Sequence, residues 1–230
     1  MNFDAIRTPF ARFGTDEGAG GTGKWEGAAA SEVATLNRAL STLSEACAEA
    51  VGKVVQHFHG EDSWTIGPMP GCASLSDSVE SQAHALLSHS DLNSAQVNEV
   101  TNTLKATSDF RVAARGARQA LQLALLLQHE ADGADAIQFV SVVSVASLAV
   151  AQETAEAVKS RHPHIAKNAA LLFRDVDKSR LQAETELRQR DSELRFSPTT
   201  LRMIRAAVWN MAVSGEAMAR VAARLVTTSS

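Results

Sequence analysis

Tyrosine is absent from the 230-residue chain, aromatic residues are 5% of it, and there are five prolines and two cysteines. So few β-formers and turn-makers argue against a sandwich or barrel, which needs β-branched and aromatic strands punctuated every few residues. Cys47 and Cys72 have no metal-like spacing, so they are expected to be reduced, structural thiols. The formal charge of −4 gives no bulk attraction for nucleic acid or an anionic membrane. MNFDAIRTPFARFG has no apolar run of the kind a signal peptide needs, and a cytoplasmic protein is expected. AIQFVSVVSVASLAVA, residues 136–151, is interrupted by serines and falls short of the roughly 20 residues that span a bilayer. It reads as a buried helix, with no membrane insertion.

Helix formers fill the space left by these absences. Val33, Leu36, Leu40, Leu43, Cys47, Val51 and Val54 recur at three- and four-residue steps, predicting a helix over 30–58. Further helices are expected over about 75–89, 94–129, 136–160, 165–194 and 198–226. Pro163 separates the fourth from the fifth, and Ser197 and Pro198 are placed as N-cap and first residue of the sixth. GTDEGAGGTGKWEG, with six glycines, is expected to be mobile. The domain reading is an arm over 1–29, a three-helix bundle over 30–131 and a second over 132–230. The fold class is all-α: two tandem antiparallel three-helix bundles.

Catalytic signatures are missing too. GAGGTGKW satisfies G-x-x-x-x-G-K, but Trp25 stands where a phosphate loop needs Ser or Thr, and no strand precedes it. The seven histidines do not form Glu-x-x-His or His-Glu-x-x-His patterns, and no G-x-S-x-G occurs. Carboxylates such as Glu184, Glu186, Asp191 and Glu193 alternate with arginines, as on a solvated helix face. A non-enzymatic protein without a cofactor is expected.

One pattern resists this plain reading. FRVAARGARQAL, residues 110–121, places Arg111, Arg115 and Arg118 at i, i+4 and i+7, stacking three guanidinium groups on one face of a core-like helix. The longer stretch LKATSDFRVAARGARQAL resembles the third helix of a PhoU repeat, L-K-x-x-x-D-L-E-R-I-G-D-x-A-x-x-I. LRMIRAAVWNMAVSGEAMARVAARLV, from Leu201, supplies the second copy about 100 residues later. The resemblance spans most of 30–226. It implies two tandem three-helix bundles and a regulator of phosphate uptake that works beside a transporter and a sensor kinase. It also implies an E-x-x-x-D motif in each repeat that holds a metal cluster.

This chain departs from that motif. The first copy has Arg111 and Arg115 for Glu and Asp, and the second has Ala212 and Glu216. A guanidinium has no lone pair to give a metal, so no metal site is expected. Two readings stay open for the arginines. They form an anion- or partner-binding strip, or they replace the metal's charge by pairing with carboxylates across the bundle, Glu216 among them. The expected partners are a transporter, a sensor kinase or a second copy in a homodimer, with Trp209 either a contact residue or part of the core. The alternatives are an assembly protein of long helices with no phosphate role, or a nucleotide-using helical transferase.

Overall fold

The computed structural model describes residues 23–59, 71–88, 92–192 and 196–228. Six α-helices follow in order: α1 (Gly23–His59), α2 (Cys72–Leu87), α3 (Ser94–Leu127), α4 (Gly133–Ser160), α5 (Pro163–Ser192) and α6 (Pro198–Thr228). The seven apolar positions that predicted the first helix are all buried in α1. That helix starts at Gly23 rather than near residue 30, so residues 23–29 of the expected arm are helical. Ala28, Ala29 and Ala30 are strong helix formers that carry the helix past Gly27. Residues 1–22, which hold most of the glycine-rich stretch, lie outside the described residues.

The helix ends have local causes. Asn93 begins α3 with a reciprocal capping box: its side chain accepts from the Gln96 amide at 2.9 Å, and its own amide donates to the Gln96 side chain at 3.0 Å. Arg161, with φ at 56°, ends α4 in the left-handed region, and Pro163 then opens α5 at a position where its missing N–H costs nothing. Ser197 caps α6, its Oγ accepting from the Thr200 amide at 3.0 Å. Asp132, in the α3–α4 connection, takes the Ser197 amide at 3.0 Å and the Thr200 hydroxyl at 2.9 Å.

Helices α1, α3, α4 and α6 form the centre, with α3 on α6 and α1 on α4. Helix α2 packs in the groove of α1 and α3, and α5 in the groove of α4 and α6. One continuous apolar core runs through both halves. Helix α4 is long and apolar enough to cross a membrane, with a mean hydropathy of 1.8. Here its Phe139, Val140, Val143 and Val150 lie in that core.

Buried positions of the four central helices repeat between the halves. Leu36, Leu40, Leu43, Ser44, Cys47, Val51 and Val54 of α1 correspond to Ala136, Val140, Val143, Ser144, Ser147, Ala151 and Thr154 of α4, each 100 residues later, and all are buried. Val100, Phe110, Ala113, Ala117 and Ala120 of α3 correspond to Leu201, Met211, Ser214, Met218 and Val221 of α6 at a step of 101. Their hydrogen bonds repeat as well. Cys47 Sγ lies 3.5 Å from the Phe110 carbonyl, and Ser147 Oγ donates to the Met211 carbonyl at 2.9 Å.

The α3–α6 seam is built from small residues. Ser214 Oγ donates to the Ala113 carbonyl at 2.9 Å. At Gly116, an added Cβ would come within 2.6 Å of the Asn210 carbonyl oxygen, so the backbones meet where only glycine fits without movement.

Candidate functional site

Helices α3 and α6 carry an excess of positive charge. These two helices carry Lys105, Arg111, Arg115, Arg118, Arg202, Arg205, Arg220 and Arg224 against Glu99, Asp109 and Glu216, in a chain whose formal charge is −4. The three arginines of the FRVAARGAR stretch divide into two kinds. Arg111, with its side chain 37% exposed, points toward α2, where it meets Asp77 Oδ1 at 2.5 Å and Glu80 Oε1 at 2.6 Å. Those carboxylates stand one helical turn apart, so one guanidinium engages both. Arg115 and Arg118 are exposed and make no ion pair among the described residues.

Arg111 thus pairs with carboxylates of a neighbouring helix, while Arg115 and Arg118 face solvent. The specific pairing with Glu216 is not the one found. Glu216 accepts from Arg220 Nη1 at 3.0 Å, one turn along its own helix. Arg111 finds α2 instead, because its position on α3 turns it away from α6.

Reading the sequence missed the most buried charge of the region. Asp109, directly before Phe110, is 7% exposed. Its Oδ1 accepts from Arg220 Nε at 3.0 Å, and its Oδ2 pairs with Arg224 Nη1. The cluster Asp109, Arg220, Arg224 and Glu216 thus joins α3 to α6. The one local signal was the one-turn spacing of Glu216, Arg220 and Arg224. Their partner is 111 residues from Arg220, out of reach of periodicity.

A metal does not fit the motif positions. Arg111 and Arg115 cannot donate, Ala212 has no donor, and the Glu216 carboxylate is engaged by Arg220. Among the described residues, no three His, Cys, Asp or Glu side chains come together in a way that could hold an ion. His57 reaches Gln128 at 2.8 Å, and its burial lowers its pKa, while His162 and His164 lie side by side at a helix start. The Gly18–Thr22 portion of GAGGTGKW falls outside the described residues, and the Lys24 backbone is already helical.

Trp209 is exposed, at 58%, so it is not part of the core. Arg180 of α5 lies over its ring, 5.8 Å from the centroid. Asp177 and Glu184 hold that guanidinium at 2.8 and 2.7 Å and raise its pKa, Asp177 foremost. Glu184 therefore bonds Arg180, four residues back, and not Arg188 as its spacing also allowed. The exposed ring thus lies under a cation held in place by two carboxylates of its own helix.

A match to a solved structure carries the comparison. The crystal structure of PhoU from Pseudomonas aeruginosa superposes with a TM-score of 0.63, covering 91% of this chain and 99% of that one at 12% sequence identity. The fold is that of PhoU. No protein-family model matches the sequence, and no curated protein matches it either. The likeness to PhoU therefore lies in the fold, at 12% sequence identity.

Proposed function

We propose that this PhoU-like chain is a non-enzymatic regulatory adaptor in phosphate uptake or phosphate signalling, and that it binds an acidic partner on its α3 face. One observation carries the proposal. Where the PhoU-like motif has metal-binding carboxylates, this chain has Arg111 and Arg115, and Arg115 with Arg118 stands exposed and unengaged by any described carboxylate. Exposed arginines keep their charge at all physiological pH and bind carboxylate or phosphate with two parallel hydrogen bonds. A rigid helix presents them at fixed spacing, which suits recognition more than chemistry. The partner in this reading is a transporter subunit or sensor kinase with a complementary acidic surface. A cytoplasmic location and a homodimer belong to the same proposal.

The test is charge reversal at the two exposed positions. Arg115→Glu with Arg118→Glu is expected to leave folding within about 0.5 kcal/mol of the parent, since neither side chain supports the core. In a host deleted for the protein, phosphate uptake under limiting and excess phosphate is expected to be misregulated. The parent restores it and the double variant does not. Unaltered uptake in the deleted host would remove the phosphate role, and full restoration by the double variant would remove the arginine surface.

A further inference from the structure

Two strips of exposed side chains run along α3 and α6. Lys105, Val112, Gln119 and Leu126 follow one another on α3 at seven-residue steps, about two helical turns each, and all four are exposed. Arg202, Trp209 and Glu216 repeat that spacing on α6 and are exposed too. The strips open to the same side. Phe110 and Met211 meet α1 and α4 through their carbonyls, and α1 and α4 pack on each other. Val112 lies two residues after Phe110 and Trp209 two before Met211, so each points about 200° away from that inner layer. The Ser214 bond to Ala113 and the close approach at Gly116 hold the strips side by side.

Large apolar side chains stand in water on this face: Val112 is 37% exposed, Leu126 55% and Trp209 58%. Packing does not require the ring, since the matched position of α3 is Ser108, also exposed. Cations surround these side chains. Lys105, Arg202 and Arg115, the last one turn from Val112, are exposed and make no ion pair among the described residues. The carboxylates nearby are already engaged, Glu216 by Arg220, and Asp177 and Glu184 by the Arg180 that covers the Trp209 ring.

We propose that this α3–α6 face seats the protein on an anionic lipid bilayer, with Trp209, Leu126 and Val112 in the headgroup region and the cations on lipid phosphates. An indole is favoured where an apolar layer meets water, because its ring is apolar and its N–H polar. Lys105, Arg115 and Arg202 gain from the negative surface potential of such a bilayer, and arginine forks bind its phosphates with paired hydrogen bonds. An acidic protein surface answers the cations, whereas a bilayer answers cations and apolar side chains in one layer. The formal charge of −4 does not oppose this, because the attraction acts over only roughly 10 Å at moderate salt and depends on the face presented. The helices lie along the surface and none crosses it. This seat is independent of any role in phosphate uptake.

The experiment is flotation of the purified full chain with vesicles of phosphatidylcholine, alone or mixed with phosphatidylglycerol. Binding to the anionic vesicles and not to the neutral ones is expected, falling as salt is added. Trp209→Ser, which places at 209 the residue found at 108, and Leu126→Ser are each expected to weaken binding several-fold with an unchanged thermal melt. Lys105→Gln with Arg202→Gln is expected to weaken it roughly thirtyfold, about fivefold for each cation. A folded parent that does not float with anionic vesicles at low salt would overturn the proposal, as would equal binding to neutral vesicles. Binding untouched by all these substitutions would overturn the assignment to this face. Retention on immobilised polyglutamate without flotation would overturn the lipid seat in favour of an acidic protein partner, and would leave the adaptor reading standing.

Discussion

Cys47 and Ser147 occupy the same place in the two halves of this molecule, and so do Phe110 and Met211, and Ala113 and Ser214. The interior exchanges one uncharged side chain for another, of similar size at Cys47 and Ser147 and of different size at Ala117 and Met218. The exteriors have gone separate ways. On α3, Arg111 and Arg115 stand where α6 has Ala212 and Glu216, and Asp109 stands where α6 has Asn210. Helix α2, with 16 residues, offers carboxylates to Arg111, whereas α5, with 30, offers Arg180 to Trp209. Burial keeps these matched interior positions uncharged in both halves alike, while nothing in the packing fixes which charge an exposed position carries. The two halves are one scaffold with two surfaces, and the first half sets Arg115 and Arg118 one turn apart on a single helix.

That comparison is most easily broken at the seam. Gly116→Ala is expected to cost about 1–3 kcal/mol, because the new methyl group meets the Asn210 backbone oxygen and a helix must shift. Gly215→Ala in the other half should cost less, below about 1 kcal/mol. Its Cβ would meet the Ser147 hydroxyl at 3.0 Å and Val176 methyls at 3.2 Å, side-chain atoms that can turn aside. Denaturant unfolding of both variants decides it, and equal losses would mean that Ser147 and Val176, from α4 and α5, yield no more readily than the Asn210 backbone.

Asp109→Ala comes next, with an expected loss of about 1–2 kcal/mol. Arg220 and Arg224 are each at least a third exposed and can recover water, which keeps the cost at the lower end. Asn210→Ala, at the matching position of α6, is expected to lose less, because Asn210 bonds only the Ala206 carbonyl of its own helix, at 2.9 Å. Thermal melts of the pair would show the asymmetry, and a larger loss at Asn210 would reverse it. The smallest effect belongs to Arg111→Ala. Its two ion pairs are solvent-accessible, so a loss below about 1 kcal/mol is expected, fading as salt is added. A loss that persists in concentrated salt would make Arg111 a structural residue instead of a screened surface pair.

Much of the fold could be read from periodicity. The steps from Val33 to Val54 set α1, and Ser197 with Pro198 marked the start of α6 to the residue. Helix starts were less legible where alanines follow glycine, as at Gly23, or where Pro163 both ends one helix and opens the next. The site was legible only in part. The spacing of Arg111, Arg115 and Arg118 shows that they share a side of a helix, but not which neighbour that side meets. Arg111 could have faced α6 and Glu216. The rotation of α3 about its own axis, set by burial of Phe110 and Ala113, turned it to α2. Asp109 coincides with the D of the motif quoted for this helix, but its partners Arg220 and Arg224 enter through the fold alone.

The close approach at Gly116 and the Ser214 bond to Ala113 also bear on how such a protein can work mechanically. A hinge needs a line along which two bodies can part with little loss. Here that line is filled by a shared core, a backbone-to-backbone contact and a buried hydroxyl bond, so opening it would expose apolar surface and strand polar groups together. The molecule is better compared to a wedge than to a pair of jaws. In the proposed role it meets a partner as one stiff body, so that what it conveys follows from where it sits and which surface it covers.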